Sequence, residues 1–362
     1  MSAPKTMKAV VENDAEDGVV VKEIPIPPLE DNEILVKVDH VTLDIVTNLL
    51  NPTDWKHVAA LSTTGSIIGC DYAGTVVEVP GSVSHKRDHI KIGSRVAGWV
   101  HGGLFKDRGA FAQYLKVPAD LTFPIPDDMP SDQACTFGIP FYTAFHALKH
   151  SQKGNWPPGK DHSWFLVYGG SSGVGLFTIQ LAKMMGHKVI TACSAGNFDL
   201  VKSYGADAVV EYKAGENAIN EIKQITGGGV HKALDCISLP ESNAFTIACF
   251  APGKGQMNVI LPPDAAAVSV RPDVDVQSTL LYTLWGRAFE FGPRAGPKMP
   301  LPALADDLKF HRELVARIPE YISLGFKAPP IEKRGGIDDI AQGLADMREG
   351  KLSGSRYVYT IA

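Results

Sequence analysis

The chain has 362 residues, of which 44% are hydrophobic and 21% charged, with a formal net charge of -5 and a pI near 6.1. This is the composition of an ordinary globular protein long enough for two domains, and it excludes a disordered chain and a generally basic binder of nucleic acid or anionic membrane. The five cysteines form no C-x-x-C pair, which excludes thioredoxin-like and zinc-ribbon sites, and with no membrane-length apolar run and no leader pattern the expected compartment is the cytosol.

Short β-rich segments come first, at Met7 to Glu12, Val19 to Ile24, Glu33 to Thr42, Gly74 to Val79, Arg95 to Val100 and Ala110 to Val117, with glycines and prolines between them. They predict a mainly antiparallel β domain to about residue 129. Within it, Asn51-Pro52-Thr53-Asp54 starts a helix, with Asn as N-cap and Pro at the first helical position. From Ser131 a helical pattern runs to about His150, broken or kinked by Pro140.

Trp164 to Tyr168 is an unbroken apolar run bounded by turn formers, which suits a parallel strand buried on both faces. The turn Gly169 to Gly175 follows at once. An apolar helical stripe then runs from Val174 and closes at Gly186, and Lys188 to Cys193 reads as the next parallel strand. A βαβ unit so short, with glycines at its first turn, makes a phosphate cradle at a helix N-terminus. The order Gly170-x-x-Gly173-x-Gly175 differs from the usual G-x-G-x-x-G, so its weight rests on that context. Strands at Ala208 to Tyr212, Lys232 to Ile237 and Gln256 to Leu261, with helices at Asn197 to Tyr204, up to Thr226 and at Glu241 to Phe250, complete a doubly wound sheet of five strands.

Beyond Val276 comes YTLWGRAFEFG, and then the glycine- and proline-rich stretch from Pro293 to Pro302 reads as a long loop. Helices follow at about Leu304 to Leu324 and Ile337 to Glu349, and a last strand, Arg356 to Ile361, returns to the first domain. The expected organisation is α/β: a doubly wound parallel Rossmann sheet over 130–302, plus a mainly antiparallel β domain over 1–129 and 303–362 that carries catalysis.

The end of the second strand chooses between dinucleotides, because an acid there accepts from a ribose 2'-OH and repels a 2'-phosphate. Here Ser194-Ala195-Gly196-Asn197 has no acid, Ser194 and Asn197 are short donors, and Asn197 is expected to cap the next helix, so NADPH is the expected cofactor. Two alternatives share these residues. Gly169-x-Ser171-x-Gly173 also fits a nucleophile elbow, and His101-Gly102-Gly103, Asp235 and His311 would complete an α/β-hydrolase-type esterase using Ser171. A non-catalytic NADPH-binding protein is the other.

The motifs NPTDWKH at Asn51 to His57, GCDYAGTV at Gly69 to Val76, VYGGSSGVG at Val167 to Gly175, the run from Ile190 to Tyr212, ALDCIS at Ala233 to Ser238 and GKLSG at Gly350 to Gly354 occur in one order. Over nearly its whole length the chain resembles the medium-chain dehydrogenase/reductase superfamily in its zinc-free quinone oxidoreductase branch. It is most similar to fungal toxin-cluster reductases and trans-acting enoyl reductases of polyketide biosynthesis.

That resemblance implies a GroES-like catalytic domain and cofactor contacts from Asn51, Pro52, Thr53 and Asp54 at the nicotinamide and from Ser171, Ser172, Gly173 and Val174 at the pyrophosphate. It implies Ser194, Ala195, Gly196, Asn197 and Tyr212 at the 2'-phosphoribose and adenine, the backbone of Val259 and Ile260 at the nicotinamide, and Ser353 and Gly354 from the C-terminal strand. Gly69-Cys70-Asp71 stands where zinc-dependent relatives carry Gly-His-Glu, so no metal is expected. Asp44 to Leu50 is an insertion relative to that family pattern. The expected reaction is hydride transfer to an activated C=C of an enoyl thioester, enone or quinone, on a small-molecule or carrier-bound polyketide-like substrate, with a polyketide synthase as partner. Lys56 is the expected polarising cation and Thr143 the expected hydroxyl near the substrate, and no Tyr or His is singled out as proton donor. Because prolines interrupt the segment after the fifth strand, a monomer is expected rather than a strand-paired dimer, the alternative being that Val274 to Leu284 alone forms the pairing strand and the proline-rich loop follows it.

Overall fold

The computed structural model describes residues 4–13, 18–43, 53–84, 90–294, 296–351 and 353–361. Asn51, Pro52 and the Asp44 to Leu50 insertion lie outside the described residues. The chain divides into two compact units, one built from the segments up to 139 and from 282 onward, the other from 140 to 281.

The first unit is built on a seven-stranded sheet. Its order runs Ile331–Lys333, Arg356–Thr360, Glu33–Thr42, Asp71–Glu78, Arg95–Trp99 and Thr122–Pro124, and Tyr114–Pro118 also pairs with Glu33–Thr42. Glu33–Thr42 is the hub, with Ile34, Val36, Val38 and Val41 fully buried. The C-terminal strand returns to it antiparallel, with Val358 opposite Thr42 and Thr360 opposite His40. Thr6–Glu12 and Val19–Pro25 make a separate hairpin, packed through Met7, Ala9 and Val11 on Ile67 and Ala112.

A charge cluster with a buried centre, Arg108, Lys116 and Glu33, and an exposed rim, Glu30, Asp107 and Arg287, lies in this unit. Arg108 is 1% exposed and donates to Glu33 at 3.1 Å and to Glu30 at 3.3 Å, and Lys116, 2% exposed, lies 2.6 Å from Asp107 and 3.5 Å from Glu33. Arg287 reaches Glu30 at 2.6 Å. Three cations and three carboxylates thus neutralise one another, as burial demands.

The second unit is a six-stranded, wholly parallel sheet. Its order is Ala208–Glu211, Lys188–Cys193, Trp164–Tyr168, Lys232–Asp235, Gly255–Val259 and Val274–Ser278. In chain order this is 3-2-1-4-5-6, the doubly wound arrangement, with its switch point between Trp164–Tyr168 and Lys232–Asp235. Phe165, Leu166 and Val167 are completely buried, which accounts for their lack of polar alternation.

Three expectations are corrected. The parallel sheet has six strands, because Val274–Ser278 adds an edge. Within the stretch expected as a loop, Met299–Leu301 forms a strand that pairs antiparallel with Phe289–Phe291, Pro300 sitting opposite Glu290, and a short helix, Leu281–Trp285, precedes this hairpin. A proline is tolerated in so short an edge strand because its missing N–H can face outward. The proline-rich segment is therefore not the edge of the parallel sheet, and the argument for a monomer loses its premise. The helical pattern from Ser131 to His150 is split into Ser131–Ala134 and Ile139–Phe145 followed by a wide turn, His146–Ser151. The interruption covers residues 135–138, just before Pro140, which stands in the first turn of the second helix, so the expected break is present. A β-carbon at Gly138 would lie 2.0 Å from Asp71 Oδ1, which instead accepts the Ile139 N–H at 2.7 Å.

Candidate functional site

In the second unit the turn after Trp164–Tyr168 is shaped by its glycines. Gly169 has φ +77°, and a β-carbon on Gly170 would lie 1.9 Å from Thr191 Oγ1, whose hydroxyl donates to the Val167 carbonyl. Ser172 caps helix Gly173–Met184, its hydroxyl accepting the Gly175 N–H at 2.9 Å. The N–H groups of Gly173 and Val174 have no acceptor inside the helix, and with the helix dipole they present partial positive charge. The expected pyrophosphate cradle of Ser171, Ser172, Gly173 and Val174 is thus one continuous buried turn.

Ser194 to Asn197 follow the adjacent strand. Asn197 does not cap the next helix; its side-chain amide donates to Ser171 Oγ at 3.1 Å, tying this turn to the cradle. That is a correction: the bond to Ser171 orients the Asn197 side chain across the turn, and no side-chain bond to the helix N–H groups is made. Ser171 and Ser194 line one cavity of about 250 Å³, with Tyr168, Tyr212, Ile237, Leu239 and Glu241 among its walls. It lies at the carboxyl ends of the parallel strands, beside the switch point, where such sheets bind ligands. Ser171, Ser194 and Tyr212 were among the residues expected at the cofactor, and Ile237, Leu239 and Glu241, which line the same cavity, were not. Their position directly after the fourth strand was the available signal.

The remaining predicted residues of this unit are placed as follows. The Ile260 N–H donates to Ser238 Oγ at 2.8 Å, and the Val259 carbonyl accepts from the Thr279 N–H at 2.8 Å. Thr143 is buried on helix Ile139–Phe145. Asp235, the acid of the hydrolase alternative, accepts from the Ile237 and Ser238 N–H groups, Ser242 Oγ and Asn243 Nδ2. Burial raises its carboxyl above the usual carboxylate range despite these donors. All its capacity goes to holding its own loop.

In the first unit, helix Thr53–Lys56 runs on into a wide turn, His57–Leu61, whose Val58 and Ala60 carbonyls accept from Arg294 at 2.8 and 2.7 Å. Thr53 Oγ1 bonds the Tyr282 hydroxyl, and His57 Nδ1 donates to the Thr53 carbonyl at 2.7 Å. His101 stacks on Tyr282 with ring centroids 3.8 Å apart. Burial drives His57 down to about 4 and His101 well below its usual value, so both rings are neutral at pH 7. Sequence reasoning missed this cluster, since nothing local ties Tyr282 to Thr53. Asp54 is buried, and half-buried Lys56 on the same helix is pushed down to about 8 by burial. Ser353 and Gly354, the latter with φ +73°, form the turn entering strand Arg356–Thr360. His311, offered to the hydrolase alternative, bonds the Leu284 carbonyl at 3.0 Å and stacks on Trp99.

Comparison with known proteins gives the wider setting. Residues 31–127 match the family described as alcohol dehydrogenase GroES-like domain, and residues 173–292 match that described as zinc-binding dehydrogenase. The trans-enoyl reductase resD of Aspergillus sclerotiorum is 31% identical, over 98% of this chain and 100% of its own length. Among solved structures, the CurK enoyl reductase matches with a TM-score of 0.77 and 18% identity, over 99% of this chain and 100% of that one. A mycobacterial protein solved with NADPH matches with a TM-score of 0.73 and 22% identity, over 98% and 99%.

No zinc is expected at Cys70, because a catalytic zinc takes three protein ligands, and among the described residues Cys70 belongs to no group of three His, Cys, Asp or Glu side chains whose ligand atoms lie within 4.8 Å of one another. Elemental analysis of protein purified without chelator is expected to give far less than one zinc per chain; a full equivalent lost together with activity would contradict this.

Proposed function

Because the chain belongs to the medium-chain dehydrogenase/reductase superfamily, an oxidoreductase family, we propose that it is an NADPH-dependent enoyl reductase acting on the activated C=C of a small-molecule or carrier-bound polyketide-like substrate. The observation that carries this reading is the cavity shared by Ser171 and Ser194 at the switch point, with no acid from Ser194 to Asn197. When bound, NADPH supplies a hydride to the β-carbon.

The chain's own groups do the rest. The first-turn N–H groups of Gly173 and Val174 bind pyrophosphate charge, and Ser194, Ala195, Gly196, Asn197 and Tyr212 take the 2'-phosphoribose and adenine. Thr53, Asp54, Val259, Ile260, Ser353 and Gly354 complete the cofactor contacts. As the β-carbon is reduced, negative charge develops on the substrate carbonyl oxygen, and Lys56 meets it with an ammonium that is still the dominant form at pH 7. Thr143 contributes a hydroxyl donor to the substrate. Water protonates the α-carbon.

Two measurements test this. The purified protein is expected to consume NADPH in the presence of an α,β-unsaturated acyl pantetheine thioester; binding of NADPH without consumption would make it a sensor, and hydrolysis of an aryl ester without NADPH would make it an esterase. Ser194→Asp is expected to weaken NADPH by about tenfold or more through like-charge repulsion and to leave NADH nearly unaffected. Calorimetry showing the unaltered protein to prefer NADH would overturn the cofactor assignment.

A further inference from the structure

The cavity at the switch point holds one carboxylate among its lining residues, Glu241. It stands in the first turn of helix Pro240–Ala248, the end of the helix dipole that favours an acidic side chain. It is not consumed as a cap, because Ser242 Oγ accepts the Leu239 N–H at 2.8 Å. Among the described residues no hydrogen bond or ion pair engages it. At the wall of the pocket its carboxylate offers an acceptor to a donor on a bound ligand.

The sheet order says which donor. Ser194 follows strand Lys188–Cys193, and Glu241 follows strand Lys232–Asp235; these strands flank Trp164–Tyr168 on opposite sides, about 10 Å apart at the usual strand spacing. The sugar and its phosphate belong to the Ser194 side. On the Glu241 side, Ile237 and Leu239 are apolar walls that suit a flat heteroaromatic ring, leaving the carboxylate at the ring edge.

We propose that Glu241 accepts a hydrogen bond from the exocyclic amino group of adenine, and so selects an adenine dinucleotide over its hypoxanthine counterpart. A hypoxanthine oxo group would set acceptor lone pairs against acceptor lone pairs. This rests on the reading that the cavity takes NADPH.

The test is a set of dissociation constants, by calorimetry or NADPH fluorescence, for NADPH, NADH and the deaminated analogue of NADPH, with the unaltered protein and with Glu241→Gln. Glu241 is exposed, so the exchange leaves packing alone. The unaltered protein is expected to favour NADPH over the deaminated analogue by about tenfold, a charge-assisted hydrogen bond. In Glu241→Gln, whose amide can donate as well as accept, that ratio is expected to fall to about one, with the NADPH to NADH ratio unchanged. Equal binding of NADPH and its deaminated analogue by the unaltered protein overturns the inference. So does a Glu241→Gln effect confined to the NADPH to NADH ratio, which would place the carboxylate on the ribose. Binding of none of the three nucleotides overturns the cofactor reading itself.

Discussion

Replacing Lys56 by methionine is expected to lower kcat/KM for an unsaturated thioester by about a hundredfold or more, the usual cost of losing one preorganised group at a developing oxyanion. Methionine keeps the apolar stem and removes only the charge, so the dissociation constant of NADPH is expected to change little. The pH profile separates catalysis from packing. Burial lowers the Lys56 pKa to about 8, so the cation is present below that pH and lost above it. In the unaltered protein, kcat/KM should therefore fall as pH rises through 8. Lys56→Arg, charged throughout, should retain activity and lose the alkaline limb. A methionine variant with full activity and the same limb would show that Lys56 only packs.

Arg108→Met is expected to destabilise the first unit by about 3–5 kcal/mol, because it leaves the buried Glu33 carboxylate short of a cation. Glu33, 2% exposed, would keep only Lys116 as its cation. Urea unfolding reads the loss, and a change below about 1 kcal/mol would mean that the cluster behaves like an exposed ion pair. Acid dependence gives a second reading. Burial alone would raise the Asp107 carboxyl, but bonds from Arg108 and Lys116 outweigh it and hold the group at about 2. A carboxylate depressed on folding stabilises above its ordinary pKa of 3.8, and that stability is lost as pH falls from there through 2. Arg108→Met should shrink the stability change across that window.

What the sequence disclosed was whatever is written in local pattern. Glu33–Thr42, Trp164–Tyr168 and Lys188–Cys193 were found to the residue, because alternation or an unbroken apolar run bounded by turn formers marks each of them. The edge strand Val274–Ser278 was not. Only Val274 in it is buried, so it carries no such pattern and owes its existence to pairing with Gly255–Val259. The hairpin at Phe289–Leu301 was hidden by prolines that a short edge tolerates.

The candidate site divides in the same way. The cradle from Ser171 to Val174 could be read from glycines between a strand and a helix. The bond from Asn197 to Ser171 spans 26 residues, and that between Thr53 and Tyr282 spans 229, so neither could be read locally. Local rules assigned Asn197 to capping, and a tertiary partner prevailed.

The most direct test of the central claim follows the hydride itself. NADPH carrying deuterium at its transferable position is incubated with the protein and an α,β-unsaturated acyl pantetheine thioester, and the product is read by mass spectrometry and NMR. A saturated thioester with one deuterium at the β-carbon is the predicted result. A saturated product without the label, or a thioester cleaved with its double bond intact, would contradict it.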